Sequence, residues 1–315
     1  MTNPLPGIPL VESPLFLALK PSLKLSEQEA RIADNLAQNG FAVLDFPDPD
    51  LEARIERIKA NLSPRFEVDF ADPEALKTSG ERRIQDAWKF DEDVKAIAVN
   101  QILVDLLSKL YGRKAFPFQT LNFPVGTEQE AHTDLVHFSS LPERFMCGVW
   151  LAMEDVSADS GPLFYLPGSH RWPAVTNGLI GRRGFNSKLQ SAQDPFAQAW
   201  RALAEATGAT KEPFLARKGQ ALIWTANLLH GGSPQHDHRL TRWSQVTHYY
   251  FEDCIYYTPA FSDEFVGRLD LRQPGSISEG KSRKSTYLGE VLEQAPPKKL
   301  NRMFLRFRNK SVEGR

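Results

Sequence analysis

The chain has 315 residues, 41% hydrophobic and 24% charged, with 38 Lys+Arg against 39 Asp+Glu for a formal charge of −1. That length can bury a sizeable core as one large domain or two, and the near-neutral balance excludes the basic field that gathers nucleic acid or anionic membranes. Only Cys147 and Cys254 are present, in no C-x-x-C pair, which excludes a disulfide framework and a thiolate zinc site.

The first twenty residues carry Pro4, Pro6, Pro9, Pro14 and Glu12 and lack both a cationic start and a small-residue cleavage site, so they do not read as a signal peptide. No run reaches the about 18 apolar residues needed to span a bilayer. A soluble, cytoplasmic protein without membrane insertion is expected. Ser26 with Glu29 forms a capping box, and Ala30, Ile32, Ala33 and Leu36 follow, which predicts a helix over 26–39 stopped by Gly40. Phe41 to Leu44 suits a short strand, and Leu51, Ile55 and Ile58 recur at helical spacing among charges. A broad apolar stripe from Val94 to Tyr111, ended by Gly112, predicts one long helix.

Beyond Gly112 the runs become short, aromatic and β-branched, predicting strands at 115–123, 145–153, 162–166, 214–224 and 242–251 of an antiparallel sandwich or barrel. One helix interrupts them, with Asp194 as N-cap, Pro195 at its first position and Gly208 after its end. Residues 171–212 thus form a long insertion of the kind that serves as a lid or specificity loop. We expect a single domain over 1–315, with a mainly helical part over 26–112, a β core over 113–255 and a C-terminal extension over 256–315. The basic residues from Lys298 onward read as a solvated face.

The histidines carry the chemistry. His132 and Asp134 stand two apart in AHTDLVHF, so in an extended segment both side chains leave one face of a sheet, the geometry for two ligands on one metal. His230 follows the apolar run ALIWTANLL and precedes a Gly231-Gly232-Ser233-Pro234 turn. Two histidines and a carboxylate make the facial triad of non-haem Fe(II) oxygenases, which leaves three coordination positions open. An H-x-D pair is by itself weak evidence for a metal, being more often a buried histidine hydrogen-bonded to a carboxylate. Arg242, twelve residues after His230, adds a planar guanidinium that grips a carboxylate with two bonds. A small dicarboxylate is the expected ligand, and 2-oxoglutarate fits, chelating iron through its keto-acid end while its far carboxylate reaches the arginine.

The segments QEAHTD, VWLAMEDVSADSGPLFYLPGSH, LLHGG and RWSQVTHYY, in that order, resemble the phytanoyl-CoA dioxygenase family of Fe(II)- and 2-oxoglutarate-dependent oxygenases. The resemblance covers about residues 30–255. It implies a double-stranded β-helix (jelly-roll, cupin-like) core buttressed by N-terminal helices, with His132, Asp134 and His230 binding iron and Arg242, six residues before His248 and Tyr249, binding 2-oxoglutarate. Trp150 is similar to a tryptophan that packs beside the cosubstrate, and Asn122 to a polar cosubstrate contact. The implied reaction consumes O2 and 2-oxoglutarate, releases succinate and CO2, and hydroxylates an unactivated C–H bond of a small-molecule metabolite. Asp134 separates the chain from related halogenases, which have a small residue there. The chain departs from the pattern after the distal histidine: Gly-Ser is usual, and here Gly231-Gly232 stands, so that either a hydrogen bond is missing or Ser233 or another donor replaces the hydroxyl.

Other histidines have blander readings. His170 suits a structural turn, His236 and His238 lie in the polar run QHDHR, His137 could line the substrate side, and His248 is either a packed imidazole or a cosubstrate neighbour. Trp224, Trp243, Phe116, Phe118 and Phe123 read as core residues. The segment RIQDAWKF could reach the mouth of the site, where Arg82, Arg83 and Lys89 would meet an anionic substrate, although a surface role is simpler for them. Two other function classes share the ligand set: a cupin-type metal-binding sensor or structural protein, and a Zn- or Mn-dependent hydrolase or isomerase. Neither needs the dicarboxylate site that Arg242 and Trp150 would form. The substrate's identity and the oligomeric state are open.

Overall fold

Helices in the first third begin and end where the sequence supplies caps. In the computed structural model, which describes residues 3–76, 82–188 and 191–292, helix α1 (Glu27–Asn39) starts on the predicted capping box. Ser26 Oγ accepts from the Glu29 amide at 3.3 Å, and the Ser26 amide donates to Glu29 Oε2 at 2.7 Å. Gly40 ends the helix at φ +82°, where a side chain would be strained. Strand β1 (Phe41–Asp45) and helix α2 (Leu51–Leu62) follow as expected.

The long apolar stripe is two helices rather than one, α3 (Glu92–Ala98) and α4 (Gln101–Tyr111). Asn100 divides them. Its Oδ1 accepts from the Leu103 amide and caps α4, while its amide group donates to the Pro47 carbonyl at 2.9 Å. A residue that satisfies an orphan helix donor also gives the backbone a reason to leave the helix.

Strands β2 (Ala115–Phe123), β3 (Met146–Ala152) and β4 (Leu163–Tyr165) come next, followed by helix α5 (Asp194–Thr207) inside the insertion, then β5 (Gln220–Thr225), β6 (His230–Gly232) and β7 (Ser244–Phe251). The predicted strand over 214–224 is thus a strand only from Gln220. Gly219, at φ +84°, and a turn bond from the Gln220 amide to the Arg217 carbonyl hold the preceding residues out of the ladder. Helix α5 starts at Asp194 itself, one residue before the expected position.

The architecture is mainly β with helical additions. Six strands form an antiparallel sheet in the order β1, β5, β3, β7, β2 and the short edge strand Ile84–Gln85. A second, three-stranded sheet pairs Glu212–Pro213 with β4 and β4 with β6. Helices α1 to α4 cover one side of the large sheet through Ile32, Leu36, Ile55, Ile58, Leu107 and Leu110, all buried. Phe196 and Trp200 of α5 fill a separate cluster with Val136, Phe164, Leu166 and Leu229. Among the described residues no helix is long and apolar enough to cross a membrane. The basic stretch from Lys298 lies outside the described residues.

Candidate active site

Register across the large sheet decides what faces inward. Trp224, Gly148, His248 and Gln119 stand in one row from β5 through β3 and β7 to β2, and Leu222, Trp150, Val246 and Leu121 form the adjacent inward row. These side chains, except Leu222 and the side-chain-less Gly148, join His132, Asp134 and His230 in lining a cavity of about 490 Å³.

His132 and His230 are brought together by their backbones. Each amide donates to the other's carbonyl, at 2.9 and 3.0 Å, in an isolated antiparallel bridge, so the two rings lie 4.6 Å apart. Each ring is then fixed by the backbone two residues before it: Nδ1–H of His132 donates to the Glu130 carbonyl at 2.9 Å and Nδ1–H of His230 to the Leu228 carbonyl at 3.0 Å. A carbonyl only accepts, so Nδ1 carries the proton and each Nε2 keeps a lone pair for a metal. Asp134 does not continue an extended segment, as expected from the H-x-D spacing. It opens a short 3₁₀ turn, Asp134–Val136, tied down by the Leu135 amide on the Ala226 carbonyl. The turn still aims its carboxylate at the histidines, with Oδ1 3.9 Å from His230 Nε2, and one ligand atom from each of the three residues lies within 4.8 Å of the others.

Burial sets the electrostatics. All three side chains are nearly closed to solvent (4–5% exposed). Desolvation, helped by the neighbouring His230, pushes His132 down to about 3, which leaves its imidazole neutral and able to ligate. Burial pushes Asp134 the other way, but His230, His248, His132 and the Trp224 indole outweigh it and hold the carboxyl at about 2. A buried carboxylate facing the Nε2 atoms of two histidines suits a divalent cation, and these three donors fit iron.

Arg242 supplies a second fit. It precedes β7 rather than beginning it, and its amide donates to the Pro124 carbonyl. The guanidinium is 3% exposed, lies 5.4 Å from the Trp150 ring and makes one long contact, Nη2 to the Val125 carbonyl at 3.4 Å. Among the described residues Nε and Nη1 are buried without a partner. Desolvation lowers its pKa to about 10, so it is still charged at neutral pH. A buried charge with unmet donors is costly unless a counter-ion completes it, and a dicarboxylate reaching from the triad would do so.

Trp150 stands beside Arg242 on the cavity wall. Asn122 does not reach the cavity: its amide donates to Gln245 Oε1 at 3.2 Å on the opposite face of β2. Gln119 and Leu121, of odd number, take the inner face. Gly231 and Gly232 line the cavity, whereas Ser233 does not; the hydroxyl on this wall is that of Thr127, 2.9 Å from where a Cβ at Gly232 would lie.

His137, Arg83 and Gln85 also line the cavity, as RIQDAWKF reaching its mouth would require, and Arg82 and Lys89 do not. His170 is structural, with Nε2 3.4 Å from the Ala37 carbonyl, and Trp243 packs on Phe66 and Phe70. Phe116 and Phe118 join the main core and Phe123 the cavity wall. Two residues do more than their sequence reading allowed. Trp224 donates its indole N–H to Asp134 Oδ2 at 2.6 Å, and His248 Nε2 lies 3.6 Å from the same oxygen with its Nδ1 on Gln119. Only the sheet register could have shown this.

Comparison with known proteins agrees with the geometry. The family model described as phytanoyl-CoA dioxygenase (PhyH) matches residues 25–240. No curated protein sequence matches this chain. Among solved structures, the non-haem α-ketoglutarate-dependent carbocyclase SnoK from nogalamycin biosynthesis is similar at a TM-score of 0.56 and 14% identity, over 81% of this chain and 95% of SnoK. The epimerase SnoN in complex with Fe³⁺, α-ketoglutarate and nogalamycin RO is similar at 0.56 and 17%, over 79% and 94%. EctD from S. alaskensis with 2-oxoglutarate and 5-hydroxyectoine is similar at 0.53 and 17%, over 87% and 89%. With its His-Asp-His cluster and buried guanidinium in one cavity, the chain belongs to the phytanoyl-CoA dioxygenase family and is an iron- and 2-oxoglutarate-dependent, oxygenase-type enzyme.

Proposed function

We propose that His132, Asp134 and His230 hold Fe(II), that Arg242 takes the distal carboxylate of 2-oxoglutarate, and that the enzyme hydroxylates an unactivated C–H bond of a small-molecule metabolite, releasing succinate and CO2. The observation that carries this reading is the Arg242 guanidinium, buried, charged and short of partners in the same cavity as the triad. We read the two sheets as the walls of a double-stranded β-helix and residues 1–315 as one domain. The unpaired buried thiols Cys147 and Cys254 fit a reducing, cytoplasmic compartment.

Bound iron and 2-oxoglutarate supply the oxidising power for C–H cleavage. The chain's own residues do the rest. His132 and His230 present Nε2, Asp134 balances charge, and Trp150 with Leu163, Val246 and Phe123 gives the cosubstrate an apolar bed under Arg242. Thr127 replaces the hydroxyl missing at Gly232. The other part of the cavity, lined by Gln85, Gln129, His137, Phe138 and Gln193, takes the substrate. Asn122 is left out of the site because its side chain faces away.

Anaerobic addition of Fe(II) and then 2-oxoglutarate should produce a weak visible charge-transfer colour, and a colourless mixture would favour the hydrolase or sensor readings. A succinate-release screen against metabolite pools, followed by mass spectrometry, tests the outcome. A gain of one oxygen supports hydroxylation. A product isomeric with its substrate, or two hydrogens lighter, would reassign the reaction, as the carbocyclase and epimerase among similar folds make worth checking.

A further inference from the structure

The metal-facing carboxylate is oriented by a residue of the sheet. Asp134 Oδ2 accepts a 2.6 Å hydrogen bond from the Trp224 indole, its one side-chain hydrogen bond among the described residues, and Oδ1 is left turned toward His230. The indole reaches that oxygen because the residue paired with Trp224 on the central strand has no side chain. Gly148 stands opposite Trp224 on one side and opposite His248 on the other, and a Cβ built on Gly148 falls among the Trp224 ring atoms, 2.8 Å from Nε1. Gly148 has no positive φ and so needs no left-handed backbone freedom. Its requirement is space.

Trp224 is therefore neither inert packing nor a substrate platform. Its ring lies 4.8 Å from that of His230, and His248 closes the far side of the row, 6.3 Å away. An ionised carboxylate accepting from a buried indole in a site closed to water is held more strongly than one accepting from solvent. Partners of metal ligands act by this orientation.

We propose that Trp224, admitted by the gap at Gly148, is a positioning residue that binds Oδ2 of Asp134 and thereby presents Oδ1 to the metal. This rests on the metal-site reading above and goes beyond it in naming the residue pair that orients the carboxylate. The test uses Co(II) as probe, titrated anaerobically into the metal-free full chain and followed by calorimetry and by the Co(II) visible spectrum. Wild type is compared with Trp224→Phe, with Gly148→Ala, which keeps the indole but pushes it off its seat, and with a protein carrying benzothienylalanine at 224, which keeps the shape and loses only the N–H. Melting of the metal-free proteins controls for folding.

A loss of roughly 10- to 100-fold in Co(II) affinity, with an altered spectrum, is expected for all three, including the isostere at unchanged melting temperature. If the isostere binds Co(II) within threefold of wild type with the same spectrum, the indole N–H does not position the ligand and the proposal is overturned, even if the two substitutions misfold. If wild type itself binds no Co(II), the metal-site reading fails; if wild type binds and the isostere binds equally well, only the positioning role of Trp224 fails.

Discussion

Asp134 and Arg242 answer for the two halves of the cavity, and each makes a prediction at the scale of one side chain. Removing the carboxylate by Asp134→Ala should weaken metal binding by ~100-fold or more, beyond what loss of an indirect partner costs, and should abolish succinate release; metal titration and product assay check both. Arg242 is the more informative, because its burial is unfavourable without a ligand. Replacing it with methionine removes an unpaired buried charge, so Arg242→Met should melt at a higher temperature than the metal-free wild type and lose the stabilisation that 2-oxoglutarate with metal confers on wild type. Arg242→Ala should raise the 2-oxoglutarate requirement roughly 30-fold or more, the equivalent of about 2–5 kcal/mol for truncating one partner of a buried charge pair. An unchanged requirement would remove Arg242 from the cosubstrate site. The residue types at these positions were legible in sequence, whereas the idle donors of Arg242 and the role of Trp224 were not, since both depend on what packs around them.

At the scale of elements, caps read from sequence were reliable where a side chain and its target lie within one turn. Ser26 with Glu29 and Gly40 bound α1 as predicted. The division of α3 from α4 escaped the apolar periodicity because Asn100 acts both locally, as a cap, and across 53 residues, on Pro47. Gly40 shows how a helix end is coupled to the β core. A Cβ there would meet the His170 ring at 2.6 Å, and the backbone is already at φ +82°. Gly40→Ala is expected to cost about 1–3 kcal/mol through strain and displacement of His170. Thermal melting checks this, and a melting temperature equal to wild type would show that the turn relaxes freely. The H-x-D spacing teaches the opposite lesson. It brought His132 and Asp134 to one site although Asp134 sits on a 3₁₀ turn, so the strand argument reached the right neighbours through the wrong local structure.

The whole molecule holds four histidines below their ordinary range: burial depresses His132 to about 3, His170 to about 4 and His248 to about 4, and it lowers His137 as well. In the unfolded chain each would take up a proton near pH 6.5. The unfolded state therefore binds more protons than the folded one between about 6.5 and 4, and stability must fall as pH falls through that window. The metal-free enzyme is expected to lose melting temperature steadily from pH 7 to 4.5. Bound metal should raise the melting temperature across this window without flattening the fall, because His132 is already unprotonated in the folded protein and the protons taken up on unfolding are unchanged. A melting temperature flat down to pH 5 would contradict the depressed values. The helical face takes part in the same economy of charge: Arg54 and Arg57 of α2 pair with Asp93 of α3, and Lys59 of α2 pairs with Glu154, whose other oxygen accepts from the Trp243 amide next to Arg242.

From its sequence alone the chain was already a mainly β protein with a helical N-terminal part, and the candidate trio and guanidinium that the structure brings to one cavity were named, because period, cap and ligand type are properties of short stretches. Tertiary structure decided the remainder: that Asn122 turns from the cavity while Gln119 faces it, that Thr127 rather than Ser233 offers a hydroxyl, and that Gly148 makes room for Trp224 to reach Asp134. These follow from register between strands far apart in the chain. A shift of one residue exchanges the two faces of a strand, and no local pattern in a fully buried β7, apolar and polar residues alike enclosed, records which face looks inward.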